Sequence, residues 1–168
     1  KKGRVFVKRS DRNTICTMDG RLVTLFPSRP DDYRDRRLLT HAASDILSLE
    51  YQSSAFSFLL EKEEAGGWKL TRPIVEETDQ QAISDYIARL KLLMADGFPE
   101  GTVETLGLQQ PEVSITLRFK GEEAPALIRF APDASKEGQY FGTQDTGAVV
   151  RLRKQQMEAV LAQADTFR

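Results

Sequence analysis

Val113, Ile115, Leu117 and Phe119 alternate strictly with Ser114, Thr116, Arg118 and Lys120. That period of two predicts a strand with one buried and one wet face. Gly121-Glu122-Glu123 turns it into a second apolar run, 126–130, which Pro132-Asp133 ends. Upstream, 46–51, 55–60 and 68–71 are strand-like, and Gly66-Gly67 supplies the permissive backbone of the last turn. Phe56, Phe58 and Leu60 share one face of the middle run, and Trp68 and Leu70 share one of the third. Residues 140–143 and 148–152 form a further hairpin around Asp145-Thr146-Gly147, followed by a helix from about residue 154 that carries Met157, Val160 and Leu161 on one face.

The period changes to that of a helix once, clearly. Ile83, Ile87, Leu90 and Met94 recur at alternating spacings of four and three, flanked by Tyr86 and Leu93, which predicts a helix over 79–96. Thr78 with Gln81 reads as its capping box, Gly97 as its terminator and Pro99 as a block to its resumption. A second, short helix is predicted over 102–106, ending at Gly107.

The opening segment repeats the closing one. Residues 4–9 and 13–18 are β-rich around Ser10-Asp11-Arg12 and close at Asp19-Gly20. Leu22, Val23, Leu25 and Phe26 then suit one or two helical turns before Pro27 and Pro30. Gly3-Arg4-Val5-Phe6 matches Gly138-Gln139-Tyr140-Phe141, and Asp32-Tyr33-Arg34 matches Asp165-Thr166-Phe167-Arg168, so a hairpin–helix unit recurs roughly 135 residues apart. The expected division is therefore 1–44, the hairpin–helix tail of a preceding copy plus a linker, and 45–168, an α+β repeat domain. Hairpins followed by helices, without a strand–helix–strand series, predict an α+β fold. Its sheet is mainly antiparallel, built from hairpins, with helices packed on one face and the long helix lying across it. Exposed hairpin edges would offer strand addition as a binding mode.

Composition narrows the functional classes. The 168 residues carry 24 Lys plus Arg against 25 Asp plus Glu, an ordinary soluble globular balance that argues against a nucleic-acid or anionic-membrane binder. A chain of this length can bury roughly 70% of its unfolded surface, so it needs no metal or disulfide to fold. Cys16 is the one cysteine, which excludes an intramolecular disulfide and a cysteine-based zinc site and fits either redox compartment. No window of about 18 apolar residues is present. The chain enters a strand directly after Lys1-Lys2-Gly3-Arg4, with no initiator Met or signal-peptide core, and reads as a segment of a longer protein.

Candidate chemistry is sparse. His41, the one histidine, could act as a general base oriented by Asp45, but no second His and no activated Ser or Cys pattern accompanies it. Cys16 reads as a small half-buried hydrophobe in a strand rather than a nucleophile. Asp31, Asp32 and Asp35 could hold a divalent cation, and Arg29, Arg34, Arg36 and Arg37 could cradle phosphate with Tyr33 stacking. Interleaved, each set argues against the other, and the segment reads as a solvated ion-pair network. Asp145-Thr146-Gly147 and Gly66-Gly67 lack the Lys-Ser/Thr and the spacing of phosphate loops. Trp68 with Phe56 and Phe58 reads as core rather than as the lining of a ligand groove. No catalytic, cofactor-binding or metal-ligating residue is assigned, and no cofactor is called for.

Gly67-Trp68-Lys69-Leu70-Thr71-Arg72-Pro73, Asp79 opening the long helix with Leu90, Leu106-Gly107-Leu108-Gln109-Gln110-Pro111 leading into the alternating strand, and Gly138-Gln139-Tyr140 before the final helix resemble the bacterial domain of unknown function 4340 family. The order and spacing hold from about Asp45 to the C-terminus, and Asp35-Arg36-Arg37-Leu38-Leu39 is of the kind that joins copies there. The resemblance implies an extracytoplasmic module, on the periplasmic or cell-surface side, of a parent anchored by an N-terminal transmembrane segment outside these residues. It also implies protein partners in ABC-type transport or surface assembly, and carries over no catalytic residue. The expected function is a non-enzymatic interaction module. The rivals are a small-ligand or glycan binder, marked by Trp68 or Tyr140 exposed in a concavity, and a hydrolase marked by a pocket with two carboxylates whose pKa values are pushed apart.

Overall fold

The structure, a computed structural model, describes residues 3–26, 29–73, 78–145, 147–161 and 167. Pro27, Thr146 and residues 165, 166 and 168, all used in the sequence reading, lie outside them. The chain divides into two compact units, Lys1–Asp35 and Arg36–Arg168.

In the first unit, β1 (Arg4–Lys8) pairs antiparallel with β2 (Ile15–Asp19), with Phe6 opposite Thr17. The Asp19 carboxylate accepts from the Arg21 amide and caps a 3-10 helix over Gly20–Leu25. The predicted helical turns are thus present in their tighter form.

The second unit is a seven-stranded antiparallel sheet made of β3 (Ile46–Ser53), β4 (Ser57–Lys62), β5 (Trp68–Arg72), β6 (Val113–Phe119), β7 (Ala126–Pro132), β8 (Gln139–Gln144) and β9 (Val150–Arg153). The spatial order is β5-β4-β3-β6-β7-β8-β9. Register places Leu60, Leu49 and Leu117 in one row across β4, β3 and β6, and Phe58, Tyr51, Ile115 and Ile128 in the next. Every one of these is buried. Over this face lie α1 (Gln80–Lys91), burying Ile83, Tyr86, Ile87 and Leu90, and α2 (Lys154–Glu158), burying Met157. The α+β architecture follows from period-two and period-3.6 stripes meeting in one core. Among the described residues no helix is long and apolar enough to cross a membrane.

Three local expectations differ from what is found. The α1 cap is Asp79, whose Oδ1 accepts from the amides of Gln81 at 2.8 Å and Ala82 at 3.2 Å. The Thr78 hydroxyl instead donates to the Trp68 carbonyl, and the Gln81 side chain donates to Asp85. The helix stops at Lys91 rather than 96, because the backbone beyond it is taken by residues 36–38. The Leu38 amide donates to the Leu93 carbonyl and the Ala95 amide to the Arg36 carbonyl, which leaves Met94 half exposed. Residues 102–106 form turns and not a helix, since the Thr105 hydroxyl bonds the Thr102 carbonyl and amide and competes with the helical pattern.

Candidate functional site

Among the described residues of 3–35, none is buried. Phe6, Ile15, Leu22, Val23, Leu25 and Phe26 are exposed, Phe6 to 77% and Leu25 to 74%. A two-stranded hairpin is marginal by itself, and these apolar side chains find no core of their own among the described residues.

The second unit contains a covered counterpart. Shifted by about 135 positions, β1 falls on β8, β2 on β9, and the Gly20–Leu25 turns on α2. The hairpin registers differ by one residue, Phe6 facing Thr17 where Phe141 faces Arg151. In the counterpart, Phe141, Val150, Met157 and Val160 are buried, because β8 pairs with β7 and the turn after α2 reaches α1. There the Tyr86 hydroxyl donates to the Val160 carbonyl at 2.8 Å.

Among the described residues, each edge of the large sheet is occupied at one position. On β5, the Gln80 side-chain amide mimics a strand: its Oε1 accepts from the Trp68 amide and its Nε2 donates to the Trp68 carbonyl, both at 2.7 Å. On β9, both backbone groups of Arg151 are bonded by the 96–97 segment at 2.8 Å. Strand addition at these points, expected from the hairpin pattern, is therefore obstructed.

A separate cleft lies on the face of the large sheet away from α1. Val103 and Leu106 pack there on a small cluster of Leu108, Ala131, Phe141 and Val149. Beside it, residues 101–104, Gln109, Arg129, Asp145 and 147–149 line a cavity of about 540 Å³. Gly101 and Gly147 are part of that lining, and a Cβ at either would come within 2.9 Å of the Leu106 side chain and of the Gln144 carbonyl respectively. The Arg129 guanidinium donates through Nη2 to the Asp145 carbonyl at 3.3 Å, while its buried Nε finds no acceptor among the described residues. An unsatisfied buried donor costs about 1–3 kcal/mol, and a guanidinium does not shed its proton to escape that cost. The Asp145 carboxylate is tied to the Leu127 amide at 2.8 Å. Glu104 is held below the ordinary carboxylate range, first by a hydrogen bond from the Thr102 side chain and then by its own backbone amide, with Gln109 and the Arg129 charge adding. Asp19, Asp96 and Asp133 also shift down. Downward shifts suit ion-pair and hydrogen-bond partners, not a general acid.

The residues weighed from sequence are scattered. His41 meets Glu122, not Asp45: Nε2 lies 2.9 Å from Glu122 Oε1, and the ring stacks on Phe119 at 4.0 Å. Cys16 is exposed rather than half-buried. Arg34 pairs with Asp31 at 3.3 Å, and no group of metal-ligating side chains occurs among the described residues. Trp68 is buried at the edge of a cavity of about 390 Å³ whose rim includes Gln80, and Tyr140 is half-buried against the core. Sequence reasoning passed over Glu104 and Arg129, whose only signal was a charged residue at a half-buried strand position next to a glycine-bounded loop.

No curated protein and no solved structure matches the chain significantly. The model of the family described as Domain of unknown function (DUF4340) matches residues 1–111, running from the hairpin through the sheet's first three strands, α1 and the turns that lead to β6. A match of that extent, about two thirds of the 168 residues, makes the chain a member of that family.

Proposed function

We propose that this chain is a non-enzymatic, extracytoplasmic interaction module of a membrane-anchored bacterial protein, accessory to an ABC-type transport or surface-assembly system. The observation that carries the interaction reading is the uncovered hairpin. Residues 3–26 expose the apolar side chains whose counterparts Phe141, Met157 and Val160 are buried in the second unit. A segment without a core of its own folds only against another surface. The counterpart supports a strand equivalent to β7, in a preceding copy of the domain, as that surface. The extracytoplasmic setting and the transport link rest on the family.

A photo-crosslinking residue placed at Phe6 or Leu25 of the parent protein, in native membranes, tests the interaction. The expected product joins either position to a neighbouring copy or partner protein. Full solvent labelling with no product would sink the reading. Protease added to intact spheroplasts should cleave the domain, and protection would place it on the other side. Capture after mild cross-linking should recover ABC-transporter subunits. Recovery of the parent alone, in the soluble fraction, would remove both anchor and transport link.

A further inference from the structure

Beyond the end of α1 the chain alternates between exposed and buried positions: Leu92, Met94 and Asp96 face outward, while Leu93 and Ala95 face the core. At 75% and 50% exposure, Leu92 and Met94 are the most open large apolar side chains of the second unit among the described residues. Cations flank them. Arg37 stands opposite Met94 in an antiparallel bridge, and Arg153 donates a hydrogen bond to the Asp96 carboxylate. The charges of Arg153, Arg36 and Arg151 all act on Asp96, so one carboxylate answers three guanidinium groups, of which Arg151 also acts on Asp133. Arg89 and Lys91 add two more cations in the last turn of α1, where the helix dipole by itself suits them. The chain as a whole has a formal net charge of −1, so this positive excess around two protruding apolar side chains is local.

Two observations select what such a face can meet. Strand addition is closed, because the backbone of 93–97 is already bonded to residues 36–38 and to Arg151. Leu92 stands clear of its neighbours instead of lining a groove, and a docked peptide side chain needs a groove. A lipid surface needs neither, since apolar side chains enter the acyl boundary while nearby cations meet the headgroup charge. We propose that this face docks on an anionic phospholipid surface, with Leu92 and Met94 entering the headgroup region and the cations around them drawn to the lipid phosphates. The attraction is that of the net local charge, so it does not require Arg153 to leave Asp96. The contact is separate from the opening hairpin and does not rest on the interaction proposed for it.

Co-sedimentation of the full chain with vesicles of equal parts phosphatidylglycerol and phosphatidylcholine, compared with vesicles of phosphatidylcholine alone, tests this. Binding to the anionic vesicles should be stronger by about tenfold or more, and should be largely lost in about 1 M salt, where charges are screened within about 3 Å. Leu92→Asp and Arg36→Glu, both at exposed positions, should each weaken it by about fivefold or more, with circular dichroism checking the fold. Leu25→Asp, in the opening hairpin, should leave it unchanged. Equal binding to the two vesicle types, or unchanged binding in Leu92→Asp, would overturn the proposal. So would loss of binding in Leu25→Asp alone, which would move the contact to the hairpin, and binding of poly-glutamate without binding of vesicles, which would make the partner an acidic peptide.

Discussion

The Tyr86 hydroxyl on α1 donates to the carbonyl of Val160, 2.8 Å away, and fastens the closing hairpin–helix segment to the central helix. Tyr86 also meets Phe167 edge-on, with ring centroids 5.3 Å apart. Burial pushes its hydroxyl well above the ordinary tyrosine range, so it remains a donor at any pH at which the protein is handled.

Removing that hydroxyl alone should be felt. Tyr86→Phe keeps the ring and strands the Val160 carbonyl, and should cost about 1–3 kcal/mol in urea denaturation. An unchanged midpoint would mean that the bond contributes nothing net.

Positions 25 and 160 occupy equivalent places in two segments, one open and one covered. Val160→Asp, placing an unpaired charge at a fully buried site, should destabilise the chain by about 4 kcal/mol or more. Leu25→Asp should stay within about 0.5 kcal/mol in this chain, because Leu25 is exposed. In the complete parent the second substitution should become costly if a neighbouring copy covers it. Equal effects of the two in this chain would contradict the open hairpin.

Gln80 guards the β5 edge with its side-chain amide. Gln80→Leu should free the Trp68 amide, leaving the carbonyl to the Thr78 hydroxyl, lower stability by about 1–2 kcal/mol and promote concentration-dependent association visible by light scattering. Trp68 is the one tryptophan, so its emission should be blue-shifted and weakly quenched by acrylamide in the parent and more strongly quenched in the variant.

The acid limb of stability should carry a contribution from Asp96. Its pKa lies below the ordinary value of 3.8, chiefly because Arg153 hydrogen-bonds it, with the charges of Arg153, Arg36 and Arg151 adding. A depressed folded-state pKa stabilises fully above the unfolded value and fades as pH falls through the folded one. Asp96→Asn should therefore lower the thermal midpoint slightly at neutral pH, and its difference from the parent should close as pH drops below 3.8. A pH-independent difference would assign the effect to something other than ionisation.

The sequence by itself determined the elements whose signal is local. Alternation at 113–119 and 126–130, the Ile83–Ile87–Leu90 stripe and the hairpin at 4–18 each report the face that a segment buries, and a buried face is set by side-chain period. It also carried the hairpin–helix correspondence, since Phe6 and Phe141 sit in like contexts. Only the tertiary structure decided which of the two is covered. Phe141 gains β7 as a neighbour through sheet order, a long-range pairing that no local period encodes. The same reason ends α1 at Lys91, where residues 36–38 take the backbone that the apolar stripe would have continued. It also turns His41 toward Glu122, 81 positions away in the chain, instead of its neighbour Asp45. The cleft escaped notice because Glu104 and Arg129 come to line one cavity only when a loop folds onto the far face of the sheet. Spacing along a chain holds no information about which charges packing brings to one cavity.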